Sequence, residues 1–339
     1  MAWGPVTLTG PDGAAPNAYD AYGIWDVIDP SRGIVYLQGF GGDIWAFQIA
    51  TGKILWVTDT ALLQGSAGYN SPYGIWPLWC LWNGPEAGQN QVLYLSENHQ
   101  YDPPFVHGWR QLAINTTNGQ LLWSMLACTM YGEVSYDIMV QLNEYDGQIY
   151  AWGQGPSQTT VSAPQLGVTT DTPVTLTGTV MDVSAGSQQE AVAANFPNGL
   201  PCVSDASMSQ FMEAAYMQQS MPNNITGVTV SLSVIDANGN QRTIGTTTTN
   251  SEGTFGFNWT PDIAGNYTVI ASFAGSESYY GSSSQTYFYA GSPSTTSTVA
   301  PQAVNMQPTQ MYIIGIGAAI IVVIVLVGVA IILVLRKRP

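Results

Sequence analysis

The sequence predicts an all-β chain that ends in one membrane-spanning helix. Short apolar runs separated by Thr-Gly, Asn-Gly and Asp-Gly steps return in one order through the first 150 residues. Alternating apolar and polar runs with turn signals between them follow as far as Ala290. Tyr312 to Leu335 then carries no charge at all, and Arg336-Lys337-Arg338-Pro339 comes directly after it.

The first region repeats. Gly33-Ile34-Val35-Tyr36 leads to Gly41-Gly42-Asp43-Ile44-Trp45-Ala46-Phe47 and to Thr51-Gly52-Lys53-Ile54-Leu55-Trp56. Gln91-Val92-Leu93-Tyr94, Leu112-Ala113-Ile114-Asn115 and Thr117-Asn118-Gly119-Gln120-Leu121-Leu122-Trp123 run in the same order. A third cycle opens at Asp146-Gly147-Gln148-Ile149-Tyr150-Ala151-Trp152 and breaks off at Gly153-Gln154-Gly155-Pro156. Each cycle reads as short strands joined by tight turns. Glycine supplies the positive φ there, and a tryptophan closes the unit by packing between sheets.

These residues resemble the quinoprotein-type (PQQ-like) β-propeller repeat, whose signature is Ala-x-Asp-x-x-Thr-Gly-x-x-x-Trp. Gln48 and Asn115 stand where that signature has its aspartate. The resemblance implies propeller blades over residues 1–157. It implies a bound quinone, PQQ with Ca2+, only for a complete ring. Two and a half blades do not close one, since rings take about four to eight. The expectation is therefore a C-terminal portion of a longer protein, or a ring completed by a partner. The N-terminal Met1-Ala2-Trp3-Gly4-Pro5-Val6 has no basic and apolar signal pattern, which fits the first of these.

Residues 158–291 predict an Ig-like β-sandwich. Pro173 to Val180 alternates, and Val228, Val230, Leu232 and Val234 share one face before the turn Asp236-Ala237-Asn238-Gly239. Thr254 to Pro261, Gly265 to Phe273 and Ser284 to Tyr289 supply further strands. An insert at 185–226 breaks the pattern. Its centre, Ser204 to Met217, reads as one helix with a Ser/Asp cap and a shared face of Met208, Phe211, Met212 and Ala215. Residues 292–310, rich in Ser, Thr, Pro and Gln, read as a stalk.

Residues 311–335 complete the layout. As a helix, the 24-residue apolar run spans about 36 Å, enough to cross a hydrocarbon core of roughly 30 Å. The basic tail at 336–339 places the C-terminus in the cytoplasm and the rest outside. The whole layout resembles a family of archaeal membrane-anchored proteins with blades, an Ig-like domain, a stalk and one C-terminal span. Phe196-Pro197-Asn198-Gly199-Leu200-Pro201 and Gly275-Ser276-Glu277-Ser278-Tyr279-Tyr280 carry that resemblance.

Composition narrows the partners. All 22 acidic residues precede Tyr312, with only Arg32, Lys53, Arg110 and Arg242 against them. So acidic a surface repels nucleic acid and anionic lipid, and it keeps an extracellular protein soluble. A protein or glycan ligand remains open. Cys80, Cys128 and Cys202 show no metal spacing. They allow one bridge, such as Cys80 with Cys128, or three buried thiols, and the second reading is preferred.

Candidate chemistry is sparse. Glu97, His99, Asp102 and His107 share one loop and have the donor types of a transition-metal site, but a polar inter-strand loop needs no ligand. Ile75 to Trp82 is apolar on both strand faces, as a buried strand is, with a sugar- or quinone-stacking platform as the alternative. No Ser/His/Asp or Cys/His set is recognisable, so no catalytic residue is assigned and enzyme activity is not indicated. Asn115, Asn224, Asn258 and Asn266 open Asn-x-Thr sequons, and the last two are expected to face solvent. The function expected is a cell-surface binding or scaffold protein. A fragment of a quinoprotein oxidoreductase and a structural stalk or adhesin are the alternatives.

Overall fold

The computed structural model describes residues 2–16, 25–38, 43–59, 86–87, 92–96, 110–136, 138–293 and 308–337. They fall into two units, Met1–Pro293 and Ser294–Pro339.

The repeat becomes sheets. Strands β1 (Trp25–Asp29), β2 (Ile34–Gln38), β3 (Asp43–Gln48) and β4 (Ile54–Asp59) form an antiparallel meander. Strands β5 (Glu86–Ala87), β6 (Val92–Ser96), β7 (Arg110–Asn115) and β8 (Leu121–Leu126) repeat it. Strands β9 (Thr129–Ser135), β10 (Ile138–Asn143) and β11 (Gln148–Trp152) form a third sheet of three strands, with β11 at an edge.

Turn glycines and tryptophans join the first two sheets as the sequence predicts. Gly52 and Gly119 hold φ of +71° and +72°, and each amide bonds back to the carbonyl of Gln48 or Asn115 at 2.8 Å. The Trp56 ring lies on Gly119, where a Cβ would stand 2.7 Å from Cε3, and its Nε1 donates to the Thr116 carbonyl at 2.8 Å. Trp3 makes the same pair of contacts one sheet earlier, over Gly52 and to the Ile49 carbonyl at 2.6 Å.

The packing changes at the third sheet. Tyr36, Ile44 and Ala46 of the first sheet bury against Leu93, Leu95, Leu112 and Ile114 of the second. Tyr94, Ala113 and Met125 on the opposite face of the second bury against Met139 and Trp152 of the third, with Tyr150 half-buried beside them. Tyr36, Tyr94 and Tyr150 hold equivalent places in the repeat. The second and third sheets therefore meet through equivalent faces, whereas the first and second meet through opposite ones. The third sheet has no strand with a closing tryptophan. Trp152 of β11 takes that role, stacked on Trp123 at 5.3 Å.

The sandwich follows. Strands β12 (Ser157–Ser162), β13 (Val174–Asp182) and β14 (Leu200–Pro201) form one sheet, with β17 (Thr254–Trp259) also on β13. Strands β16 (Gln241–Thr248), β15 (Thr229–Ile235), β18 (Gly265–Phe273) and β19 (Ser282–Ala290) form the other, in that order. Val228, Val230, Leu232 and Val234 all point inward, as their alternation predicts, against Leu176, Val180, Tyr267 and Val269.

The insert holds a short 3-10 turn, helix α1 (Glu190–Asn195) and helix α2 (Asp205–Tyr216). The expected helix is present, but not its side-chain cap. The Ser204 hydroxyl faces Ser207 Oγ at 3.2 Å, and the Asp205 carboxylate is held by a distant loop. In the second unit, helix α3 (Pro308–Arg336) starts before the expected residue 311. Gln310–Arg336 has a mean hydropathy of 3.6 over its most apolar window and is long enough to cross a membrane.

Candidate functional site

Helix α2 forms the joint between sandwich and sheets because it is apolar on two sides. Met208, Phe211 and Ala215, at the 3–4 residue spacing of one face, enter the sandwich core. Met212 and Tyr216 also reach the core between the second and third sheets. Polar residues on the same helix satisfy the exposed edge of β8. Ser209 Oγ accepts from the Ser124 amide at 3.0 Å, and the Glu213 carboxylate accepts from the Leu126 amide at 3.0 Å. Glu213 also pairs with the guanidinium of Arg110. An edge strand left open is a template for unwanted pairing, and α2 removes that one.

A second set of bonds ties the linker down. The Asp205 carboxylate accepts from the hydroxyls of Ser276 and Ser278 and from the amides of Glu277 and Ser278, at 2.6–3.2 Å. Gly155 donates to the Ser278 carbonyl at 2.9 Å and accepts from the Tyr280 amide at 2.8 Å. Gln154 Nε2 donates to the Ser276 carbonyl at 2.6 Å. The Gly275–Tyr280 segment, which carries part of the sequence resemblance, is thus the clasp that fixes the sandwich to the end of β11.

Between these parts lies a cavity of about 520 Å³. Its floor is Val92, Tyr94, Leu122, Trp123 and Met125 of the second sheet. One side is Ile149 to Trp152 of β11, and the other is Met208, Phe211, Met212 and Tyr216 of α2. Asp182, Asp205, Glu277 and Tyr279 line the sandwich end. An apolar, aromatic hollow with a few convergent polar groups is the usual form of a binding site. The charged groups among the described lining residues are all acidic.

Electrostatics follow from burial. Desolvation pushes the Asp182 carboxyl above its ordinary value, against the opposing hydrogen bonds from Ser184. Tyr216 is pushed up to about 12 by burial and by the charge on Asp182. Burial also holds Tyr279 well above its usual range. Trp152 Nε1 is buried with no hydrogen-bond partner. A buried unpaired donor of this kind is uncommon in a folded protein.

Of the residues singled out in the sequence, Glu97, His99, Asp102 and His107, Cys80, and the Ile75 to Trp82 run lie outside the described residues. Among the described residues no three His, Cys, Asp or Glu side chains are grouped to hold a metal ion. Cys128 and Cys202 are buried free thiols. Asn224, Asn258 and Asn266 are exposed, while Asn115 is half-buried and its Oδ1 accepts from the Thr117 amide at 2.8 Å. The cavity was not anticipated in the sequence. Its signals were the third cycle stopping at Gly153 and the second apolar side of the Ser204–Met217 helix.

No family model matches the chain, and no curated protein matches it. Among solved structures it is similar to the fibronectin(III)-like modules of Clostridium thermocellum CbhA, at 11% identity and a TM-score of 0.25, over 62% of this chain and 93% of that one. It is also similar to BamB from Moraxella catarrhalis, at 9% identity and a TM-score of 0.22, over 75% and 70%. Likenesses this distant carry nothing about function.

Proposed function

We propose that the chain is a membrane-anchored surface protein that binds or scaffolds a partner at the joint between its repeat sheets and its sandwich. Helix α3 is the supporting observation, being long and apolar enough to span a bilayer. Arg336-Lys337-Arg338 hold the C-terminus on the cytoplasmic side by the positive-inside rule, and the β-rich part faces outward. The cavity is the binding site within that part. Its lining favours this reading over a quinone-dependent oxidoreductase. Pyrroloquinoline quinone carries three carboxylates, and the described lining residues offer Asp182, Asp205 and Glu277 with no basic side chain.

The test is alkaline carbonate extraction of membranes carrying the full chain, beside an Ile324→Arg, Val325→Arg variant. The full chain is expected in the pellet and the variant in the supernatant. Release of the full chain by carbonate would remove the anchor from the account.

A further inference from the structure

Among the described residues the third sheet lacks the third and fourth strands that follow the first hairpin of its neighbours, and the cavity lies along the edge where they would pair. Hairpin β10–β11 repeats hairpin β1–β2 in sequence and in pairing. Asn143 faces Gln148 as Asp29 faces Ile34, neither ladder has a bulge, and Tyr150 stands where Tyr36 does. In the first sheet the far edge of β2 is taken by β3, from Ile34 opposite Gln48 to Gln38 opposite Ile44. In the second sheet β7 covers β6 in the same way. After β11 the chain instead turns into the linker, and no described strand pairs with its second edge.

The direction of the free groups can be read from the ladder. The Glu144 amide donates to the Cys128 carbonyl on the β9 side, so Asn143 turns its own groups toward Gln148 of β11. Backbone groups alternate along a strand, which leaves those of Ile149 and Ala151 facing away from β10. Both residues are exposed, Ile149 by 74%. The cavity touches four consecutive residues, Ile149, Tyr150, Ala151 and Trp152. Successive side chains point to opposite faces, so a hollow that meets four in a row abuts the edge of the strand.

The geometry points to β11 as an acceptor edge for an extended strand of a partner protein. The incoming strand bonds the Ile149 and Ala151 backbone and sets alternate apolar side chains over Trp123, Tyr94 and Met212. Strand addition of this kind takes affinity from main-chain bonds and specificity from pockets for alternate side chains. The repeat itself states the chemistry of the occupant. Strand β3 reads Asp-Ile-Trp-Ala-Phe-Gln and buries Ile44 and Ala46, on the Tyr36 face, against the adjoining sheet, and β7 buries Ala113, the equivalent of Ala46, on the Tyr94 face. Acidic Asp182, Asp205 and Glu277 at the sandwich end disfavour an acidic residue there and suit a basic one. This deepens the surface-binding reading above and rests on it.

The probe is a fluorescein-labelled synthetic peptide of residues 43–56 of this chain carrying Asp43→Lys, to set a basic residue at the acidic end, titrated by anisotropy against the full chain in nonionic detergent. Saturable binding is expected. The same peptide N-methylated at alternate residues of its first six, to remove the donors that would bond β11, is expected to bind at least about tenfold more weakly. Ala151→Pro deletes an outward amide while leaving the ladder to β10 intact, and edge positions tolerate proline. It is expected to abolish binding, as is Met212→Trp, which fills the hollow. Equal binding of the plain and N-methylated peptides, or full binding by Ala151→Pro, overturns the proposal and leaves a hydrophobic small-molecule pocket. Dimerisation of the full chain blocked by Ala151→Pro also overturns it, by making a second copy the occupant. A chain that pellets in carbonate yet ignores the peptide loses only the strand site. A chain that binds peptide but is released by carbonate loses only the anchor.

Discussion

Glu213 on helix α2 and Arg110 on strand β7 form an ion pair across the joint between sandwich and repeat sheets, 103 positions apart in the chain. Both side chains are about four-fifths buried, and Glu213 also accepts the Leu126 amide from the β8 edge. Removing one partner leaves a charge and an amide without theirs. Glu213→Ala is expected to cost about 2 kcal/mol and to speed hydrogen exchange at Ser124 and Leu126. Glu213→Gln keeps an acceptor for Leu126 and is expected to protect that amide. Urea unfolding and exchange by mass spectrometry check both.

The Trp56–Gly119 contact gives a paired test. Gly119 and Gly147 both hold positive φ, +72° and +67°, so alanine strains the backbone at either, by about 1 kcal/mol. Only at Gly119 does the new methyl meet a ring, at 2.7 Å, whereas at Gly147 nothing stands within 4 Å. Gly119→Ala is expected to destabilise by about 1–3 kcal/mol more than Gly147→Ala, because overpacking forces the indole to shift. Equal losses in the melting of the two variants would show that the tryptophan does not join the sheets.

Asp29 and Asp182 make opposite predictions for pH. Burial alone would raise the Asp29 carboxyl, but bonds from Ser31 Oγ at 2.5 Å and from Arg32, together with the Arg32 charge, hold it below 3.8. A lowered native value means stability that is present above pH 3.8 and lost as pH falls through the native value. Asp182 is raised by burial, so its share is present below pH 3.8 and lost as pH rises through its native value. Asp29→Asn should therefore flatten the acid limb of the stability profile. Asp182→Asn should lessen the decline on the neutral side.

Cysteine chemistry is expected to be silent in the native state. Burial and the nearby Glu144 push Cys128 up to about 12, and burial raises Cys202 further. Reaction requires thiolate and access, and both residues lack both. Iodoacetamide at pH 8 should leave Cys128 and Cys202 unmodified until denaturant is added, as peptide mass mapping would show.

Much of the fold was legible in the sequence because its periods are local. The alternation at Val228 to Val234, the Thr51-Gly52 and Asn118-Gly119 turns and the uncharged Tyr312 to Leu335 run each state their structure within a few residues. The closing role of Trp56 could also be read, since its partner Gly119 sits at the matching point of the next repeat. The third sheet was legible only as an interruption. That Tyr150 faces back toward Trp123 depends on a missing strand, which no local pattern records. The Ser204 cap failed for a similar reason, because Asp205 is claimed by Ser276 and Ser278 more than 70 residues away. The cavity needed both: a helix with two apolar sides and a sheet that stops early.

The most direct test of the account is the side of the membrane on which the sandwich lies. Leu166 is 91% exposed, and a Leu166→Cys, Cys80→Ser chain offers one reactive thiol there, with Cys128 and Cys202 buried. Intact cells are treated with a membrane-impermeant maleimide and compared with lysed cells. Full labelling of Cys at position 166 on intact cells is the predicted result. Labelling only after lysis would place the sandwich in the cytoplasm and contradict a surface protein held by its C-terminal helix.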